Sequence, residues 1–250
     1  MLSKLKTSLK QLNLRSVLSN IEQMLLDARK NEISYEEFLF DLLEKERCDR
    51  HNRKVDRLLR ESKLPLEKQL ENFERKRLPL QIDGQIDFLI QGCFLGRAEN
   101  ILAFGNPGSG KTHLVCAIAR ELIYKGHKIL FKPCSVLVQE LLKAKRNLEL
   151  AKYLKKLSRY DALIIDDIGY VQQSREEMEV LFTLLADRYE NRSVIITSNL
   201  SFSDWEKIFK DPMTTAAAID RLVHHSIILE LNLPSYRLEK AKSKTGGDSN

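Results

Sequence analysis

Four cysteines are scattered along the chain, Cys48, Cys93, Cys116 and Cys134, without C-x-x-C spacing, so neither a zinc site nor a redox pair is expected and a reduced compartment fits. The five histidines make no ligand spacing either; His224 and His225 are adjacent and would point apart on a helix, and no protein-only metal site is expected. No apolar run approaches the roughly eighteen to twenty residues of a membrane span, and MLSKLKTSLKQLNLRS lacks the continuous apolar core of a signal peptide. The expectation is therefore a cytoplasmic protein without a membrane partner. Aromatic residues are only 7% of the chain and, apart from Tyr153 and Tyr160, do not interleave its basic clusters, which argues against readout by base stacking. A guanine-recognition N-K-x-D motif is also missing.

What the chain does contain is enough apolar residue, 43% of 250, to bury one α/β core and a smaller accessory domain. Residues 105–112 read GNPGSGKT, a complete G-x-x-x-x-G-K-[ST] loop between the apolar run Ile101 to Phe104 and the helix-compatible HLVCAIARELI. Its glycines, Gly105, Gly108 and Gly110, let backbone N–H groups turn inward around phosphates at a helix N-terminus, where the helix dipole favours anions. The loop as a whole, with Asn106, Pro107 and Ser109, is the predicted nucleotide site; Lys111 would reach the β- and γ-phosphates and Thr112 the Mg²⁺.

The class of nucleotide chemistry depends on what the other strands carry at their carboxyl ends. Residues 162–169, ALIIDDIG, read as a buried strand ending in two acids: Asp166 is the expected metal-side acid and Asp167 the base that polarises water. A third strand, Ser193 to Ser198, leads to Asn199, whose amide could orient the attacking water. The last, Ser226 to Leu231, follows the helix-compatible AAAIDRLVHH, in which Arg221 is placed to serve a neighbouring subunit. A small-molecule kinase would need an acceptor pocket and an arginine-rich lid, and neither is visible. The segment 81–100 is expected to supply part of the adenine pocket, and the charged LEKQLENFERKRL before it to form a connecting helix.

These features in this order resemble the AAA+ branch of P-loop ATPases. Nearly the whole chain is similar to the IstB family of insertion-sequence helper ATPases, and through it to DnaC-type helicase loaders. The matching stretches are LKQLNLRSVLSNIEQML, ISYEEFLFDLLEKE, FLGRAENILAFGNPGSGKTHL, YDALIIDDIGY, ITSNLSFSDW, AIDRLVHHS and SYRLE. The resemblance implies an ATP- and Mg²⁺-dependent ATPase that coats duplex DNA as a homo-oligomer and assists a transposase; the alternative is a loader that grips a replicative helicase. Carried over by motif, Lys111 and Thr112 match Walker A, Asp166 and Asp167 Walker B, Asn199 sensor 1, Arg221 a trans-acting arginine finger and Arg237 sensor 2. An Asp stands at the second Walker B position, where many relatives have Glu. The implied fold is an α/β three-layer sandwich with a parallel sheet. The short stretch after Leu231 leaves no room for the usual helical lid, so closure over nucleotide would depend on a neighbouring subunit and isolated monomers should hydrolyse ATP weakly.

The net charge is +6, modest for a DNA binder, so its placement matters more than its size. Arg47, Arg50, Arg53, Lys54, Arg57 and Arg60 recur three or four residues apart and would form one stripe on a helix. A second cluster includes Lys152, Lys155 and Lys156, in a region that faces the central channel in the initiator-like ATPases the chain resembles. Both are candidate duplex-backbone contacts, against the plainer reading of solvated helix faces. Leucines at helical spacing and a capping-box pattern from Ser34 to Glu37 predict a small all-helical domain over residues 1–72, ahead of an ATPase domain over 73–242 and a disordered tail over 243–250.

Overall fold

A computed structural model of the chain describes residues 1–169, 174–201, 204–205, 219–220, 222–236 and 238–240. It divides into two compact units, Met1–Arg57 and a second from Leu58 onward.

The first unit is helical: α1 (Leu2–Gln11), α2 (Arg15–Lys30) and the greater part of α3 (Tyr35–Ser62). Leu9, Val17 and Ile21 form its small core, against which Leu14, Leu18, Leu25, Phe38 and Leu42 pack. The leucine stripe of α1 is only partly used for burial, because Leu2, Leu5 and Leu12 remain exposed. The Ser34 hydroxyl accepts from the Glu37 N–H at 3.2 Å, one half of the expected capping box. A stronger cap comes from a distance: buried Glu46 on α3 accepts from the N–H groups of Ser16 at 2.9 Å and Val17 at 3.3 Å, placing a carboxylate on the orphan donors at the start of α2.

The second unit carries a five-stranded, all-parallel sheet in the order β2-β3-β4-β1-β5, built from β1 (Asn100–Gly105), β2 (Ile129–Pro133), β3 (Ala162–Ile168), β4 (Ser193–Ser198) and β5 (Ser226–Leu231). Its apolar runs fit strands buried on both faces. Strand β1 lies between β4 and β5, with Ile101 opposite both Ile195 and Ile227. Around the sheet run α4 (Leu80–Leu89), α5 (Cys93–Gly96), α6 (Lys111–Tyr124), α7 (Cys134–Arg146), α8 (Leu150–Leu157) and α9 (Arg175–Arg188). One face is covered by α7 and α9, whose Leu137, Leu141, Leu181 and Leu184 pack with Leu102, Leu163, Ile165 and Ile196. The strand residues of opposite parity, Ile101, Ala103, Ile164 and Ile195, are fully buried on the other face, where α6 lies. The result is the three-layer α/β sandwich expected from the sequence.

The expected connecting helix is not formed. Residues 64–74 run as turns followed by a short 3-10 turn at Arg75–Arg77. Tertiary bonds override the helical charge pattern here: Arg75 donates to Asp83 Oδ1 at 2.6 Å and Asp87 at 3.0 Å on α4, and the Gln69 carbonyl lies 2.8 Å from His113 Nε2 on α6.

Candidate active site

The glycine-rich loop closes β1 and opens α6, which starts at Lys111. Two of its glycines are required by geometry. Gly105 has φ +147° and an added Cβ would lie 2.1 Å from the Leu231 carbonyl oxygen; at Gly108, φ +80°, it would lie 2.2 Å from Ser235 Oγ. The loop is thus held against the segment after β5, and the Tyr236 N–H donates to the Gly108 carbonyl at 3.0 Å.

Lys111 is buried, and its ammonium donates to the carbonyls of Gly105 at 2.8 Å and Asn106 at 2.9 Å and to Asn199 Oδ1 at 2.6 Å. The amide of Asn199 in turn donates to Asp167 Oδ1 at 3.1 Å. A single circuit therefore joins the loop lysine, the amide after β4 and the second acid of β3. Asp166, at the end of β3, accepts from the Thr197 hydroxyl at 2.7 Å, and the Asp167 N–H donates to that same hydroxyl oxygen at 2.8 Å. Asp167 holds φ +65°, a left-handed conformation uncommon outside glycine.

A cavity of about 330 Å³ opens on this circuit and is lined by the loop, Asp167, Asn199 and Tyr236. Its remaining wall corrects one expectation. No residue of 81–100 lines it; that part comes from Glu67, Lys68, Asn72, Phe73, Glu74 and Arg77, because 81–100 folds as α4, α5 and the entry to β1. The Phe73 ring passes 3.1 Å from where a Cβ on Gly110 would sit and packs edge-on against His113. Arg77 ties this wall to the segment after β5: it donates to the Pro234 carbonyl at 3.1 Å, pairs with Glu239 at 2.8 Å and stacks over Tyr236, whose hydroxyl donates to Glu74. The lining offers the backbone of the glycine-rich loop, the ammonium groups of Lys68 and Lys111 and an aromatic wall, a set suited to a nucleoside triphosphate. Thr112 lines the cavity and carries a hard oxygen donor of the kind Mg²⁺ takes beside substrate phosphates; Asp166, the expected metal-side acid, is half-buried on β3 with Oδ1 on the Thr197 hydroxyl and is not among the lining residues. Among the described residues, no group of three or more His, Cys, Asp or Glu side chains could hold a metal ion by itself. Cys116 is buried in α6, and burial pushes its thiol up to about 12, which makes it an inert core residue.

Arg221 and Arg237, the two arginines assigned from the sequence, lie outside the described residues. The basic stripe stands on α3 as expected, but acids temper it. Arg47 pairs with Glu44 at 2.6 Å, and Arg50 and Arg53 both reach Glu46 at 3.3 Å; Lys54, Arg57 and Arg60 are exposed. Burial alone would raise the Glu46 pKa, yet the Ser16 and Val17 N–H groups and Arg50 outweigh it and hold this carboxyl below its ordinary value. On α8, Lys152, Lys155 and Lys156 are exposed, with Lys152 paired to Glu149 at 3.2 Å. Tyr153 and Tyr160 are half-buried against the core, and the Tyr153 hydroxyl donates to Glu140, itself paired with Lys132. The helix that presents the three lysines is thereby fastened to α7 and β2.

Sequence reasoning missed Thr197, Phe73, Tyr236 and Glu46. Thr197 alone carried a readable signal, as a polar residue inside a buried apolar strand.

The model for IstB-like ATP binding proteins matches residues 7–245. An ATP-binding protein of insertion sequence IS21 from Pseudomonas aeruginosa is 40% identical over 243 residues, 97% of this chain and 91% of the relative. An insertion-sequence ATP-binding protein from Sinorhizobium fredii is 43% identical over 205 residues, 82% of this chain and 69% of the relative. Among solved structures, the DnaC helicase loader superposes with a TM-score of 0.58 at 20% identity, over 66% of this chain and 97% of the loader. Among the described residues, no helix is long and apolar enough to cross a membrane.

Proposed function

Because this chain belongs to the IstB-like ATP-binding protein family, and is an ATPase of the AAA+ class, we propose that it is the ATP-driven helper of an insertion sequence, assembling on duplex DNA to assist a transposase. The observation that supports the nucleotide half is the hydrogen-bonded chain Lys111–Asn199–Asp167, which fits a reading of Lys111 as phosphate-binding cation, Asn199 as water-orienting amide and Asp167 as general base. The insertion-sequence half rests on relatives at 40% identity along almost the whole chain. The likeness to the helicase loader supports only the shared fold.

In this reading the loop from Gly105 to Thr112 cradles the phosphates, and Lys111 exchanges its Asn199 contact for the β- and γ-phosphate oxygens. Asn199, so released, orients water, and Asp167 accepts its proton. Thr112 and Asp166 would hold Mg²⁺, which neutralises charge on the triphosphate. Arg221 of a neighbouring protomer stabilises the transferred charge, and Arg237 contacts the nucleotide in its own protomer. ATP acts as the assembly signal and hydrolysis as the release step. Arg47, Arg50, Arg53, Lys54, Arg57 and Arg60, with Lys152, Lys155 and Lys156, supply backbone contacts to the duplex that are independent of sequence. The protein works in the cytoplasm, where its DNA is.

The test is ATPase rate and sedimentation at low salt, with duplex DNA against an equal mass of single-stranded DNA. Duplex-stimulated hydrolysis with ATP-dependent growth into large assemblies is expected. A preference for single strands, or no response to DNA, would refute the helper reading in favour of a helicase loader.

A further inference from the structure

The two acids of β3 stand in a break of the sheet. Strands β3 and β4 keep register up to Ile165 opposite Ile196 and resume it with Ile168 opposite Ser198, so Asp166 and Asp167 together face the single residue Thr197. This is a bulge in a parallel pair, where such insertions are rare, and it carries Asp167 into its left-handed φ. A bulge leaves a main-chain donor without its ladder partner. Here the donor is the Asp167 N–H, and the side-chain oxygen of Thr197 takes it in place of a carbonyl, at 2.8 Å. With that lone pair engaged, the hydroxyl proton is directed to Asp166 Oδ1 at 2.7 Å. Thr197 is only 1% exposed, so bulk water does not stand in for it. The next residue closes the other side of the bulge, the Ser198 hydroxyl donating to the Ile168 carbonyl at 3.0 Å.

We propose that Thr197 is a positioning residue for both acids: one hydroxyl fixes the orientation of the Asp166 carboxylate and the backbone of Asp167. Its effect falls first on the geometry between the acids and reaches the loop lysine indirectly, through Asp167 and Asn199, since none of the Lys111 bonds described above is made to Thr197 itself. The inference rests on the ATPase reading given above.

The test compares full-length wild type with Thr197→Val, which keeps the shape and removes the hydroxyl, and Thr197→Ser, which keeps the hydroxyl. The readouts are melting temperature, affinity for a fluorescent non-hydrolysable ATP analogue in EDTA, the Mg²⁺ concentration that half-maximally tightens that binding, and kcat and KM. Thr197→Val should lower kcat by about 10–100-fold and raise the Mg²⁺ midpoint about tenfold, with analogue affinity in EDTA within about twofold of wild type. Thr197→Ser should recover most of both losses. Wild-type kcat and Mg²⁺ midpoint in Thr197→Val would overturn the inference while leaving the ATPase reading intact. A parallel loss of melting temperature and of analogue affinity in EDTA, with no recovery in Thr197→Ser, would also overturn it, since it marks a merely structural residue. A wild type that neither binds the analogue nor hydrolyses ATP would remove the ATPase reading and this inference with it.

Discussion

Arg188, at the end of α9, is the most fully buried charged side chain among the described residues, with 1% of its surface exposed. Its guanidinium donates to the carbonyls of Leu157 at 3.0 Å, Tyr160 at 3.1 Å and Ser193 at 2.8 Å, binding the end of α8, the approach to β3 and the first residue of β4. Burial pulls its pKa down to about 10, which leaves it charged at neutral pH and measures the desolvation already borne in the folded state. Substitution by Leu strands three carbonyls at about 1–3 kcal/mol each, a loss partly offset because the desolvation of the charge is also relieved. The net expectation for Arg188→Leu is a destabilisation of about 3–5 kcal/mol. At about 2–4 °C per kcal/mol for a unit of this size, the melting temperature should fall by roughly 6–20 °C. Arg188→Lys, which keeps the charge without the planar fork, should fall between the two. Thermal unfolding followed by circular dichroism reads the effect. At a temperature where the variant is still folded, its affinity for nucleotide should match wild type, because Arg188 grips the amino ends of β3 and β4 and the candidate site lies at their carboxyl ends. A fall of less than about 2 °C would refute the stabilising role of these bonds. Lost nucleotide affinity in the folded variant would refute the separation of scaffold and site.

Gly108→Ala meets both a left-handed φ and Ser235 Oγ, so the segment after β5 must move and the Tyr236 N–H bond to the loop must break; nucleotide affinity should drop about tenfold or more, as isothermal titration would show. Glu46 has a folded pKa held below its unfolded one, so its stabilising contribution is full above the unfolded value and is lost as pH falls through the folded value. Acid unfolding of the helical unit, followed by helical ellipticity, should therefore become less steep below about pH 4.5 in Glu46→Gln, which should also lose about 1 kcal/mol at neutral pH. An unchanged acid transition would show that Glu46 does not cap α2 in solution.

Strands β1, β3, β4 and β5, the loop and the order of the acid pair and Asn199 were legible in the sequence, because local chemistry announces them. Apolar runs of strand length, a glycine pattern with few alternatives and charges that interrupt buried runs need no partner to be recognised. The basic stripe was legible for the same reason, as a helical repeat of cations. Its tempering by Glu46 was not, since that carboxylate answers to the start of α2, thirty residues away from Ser16. Likewise the charged segment 66–78 has the composition of an exposed helix, yet Arg75 and Arg77 find partners on α4 and after β5 that reward an irregular path along the nucleotide pocket. What the sequence by itself determined was where the buried strands named above run and which residues could carry phosphate chemistry. Only the tertiary structure decided what walls the pocket, and how a bulge opposite Thr197 turns two neighbouring acids to different hydrogen-bond partners. Those outcomes depend on hydrogen bonds between residues far apart in the chain, and local sequence preference carries no record of them.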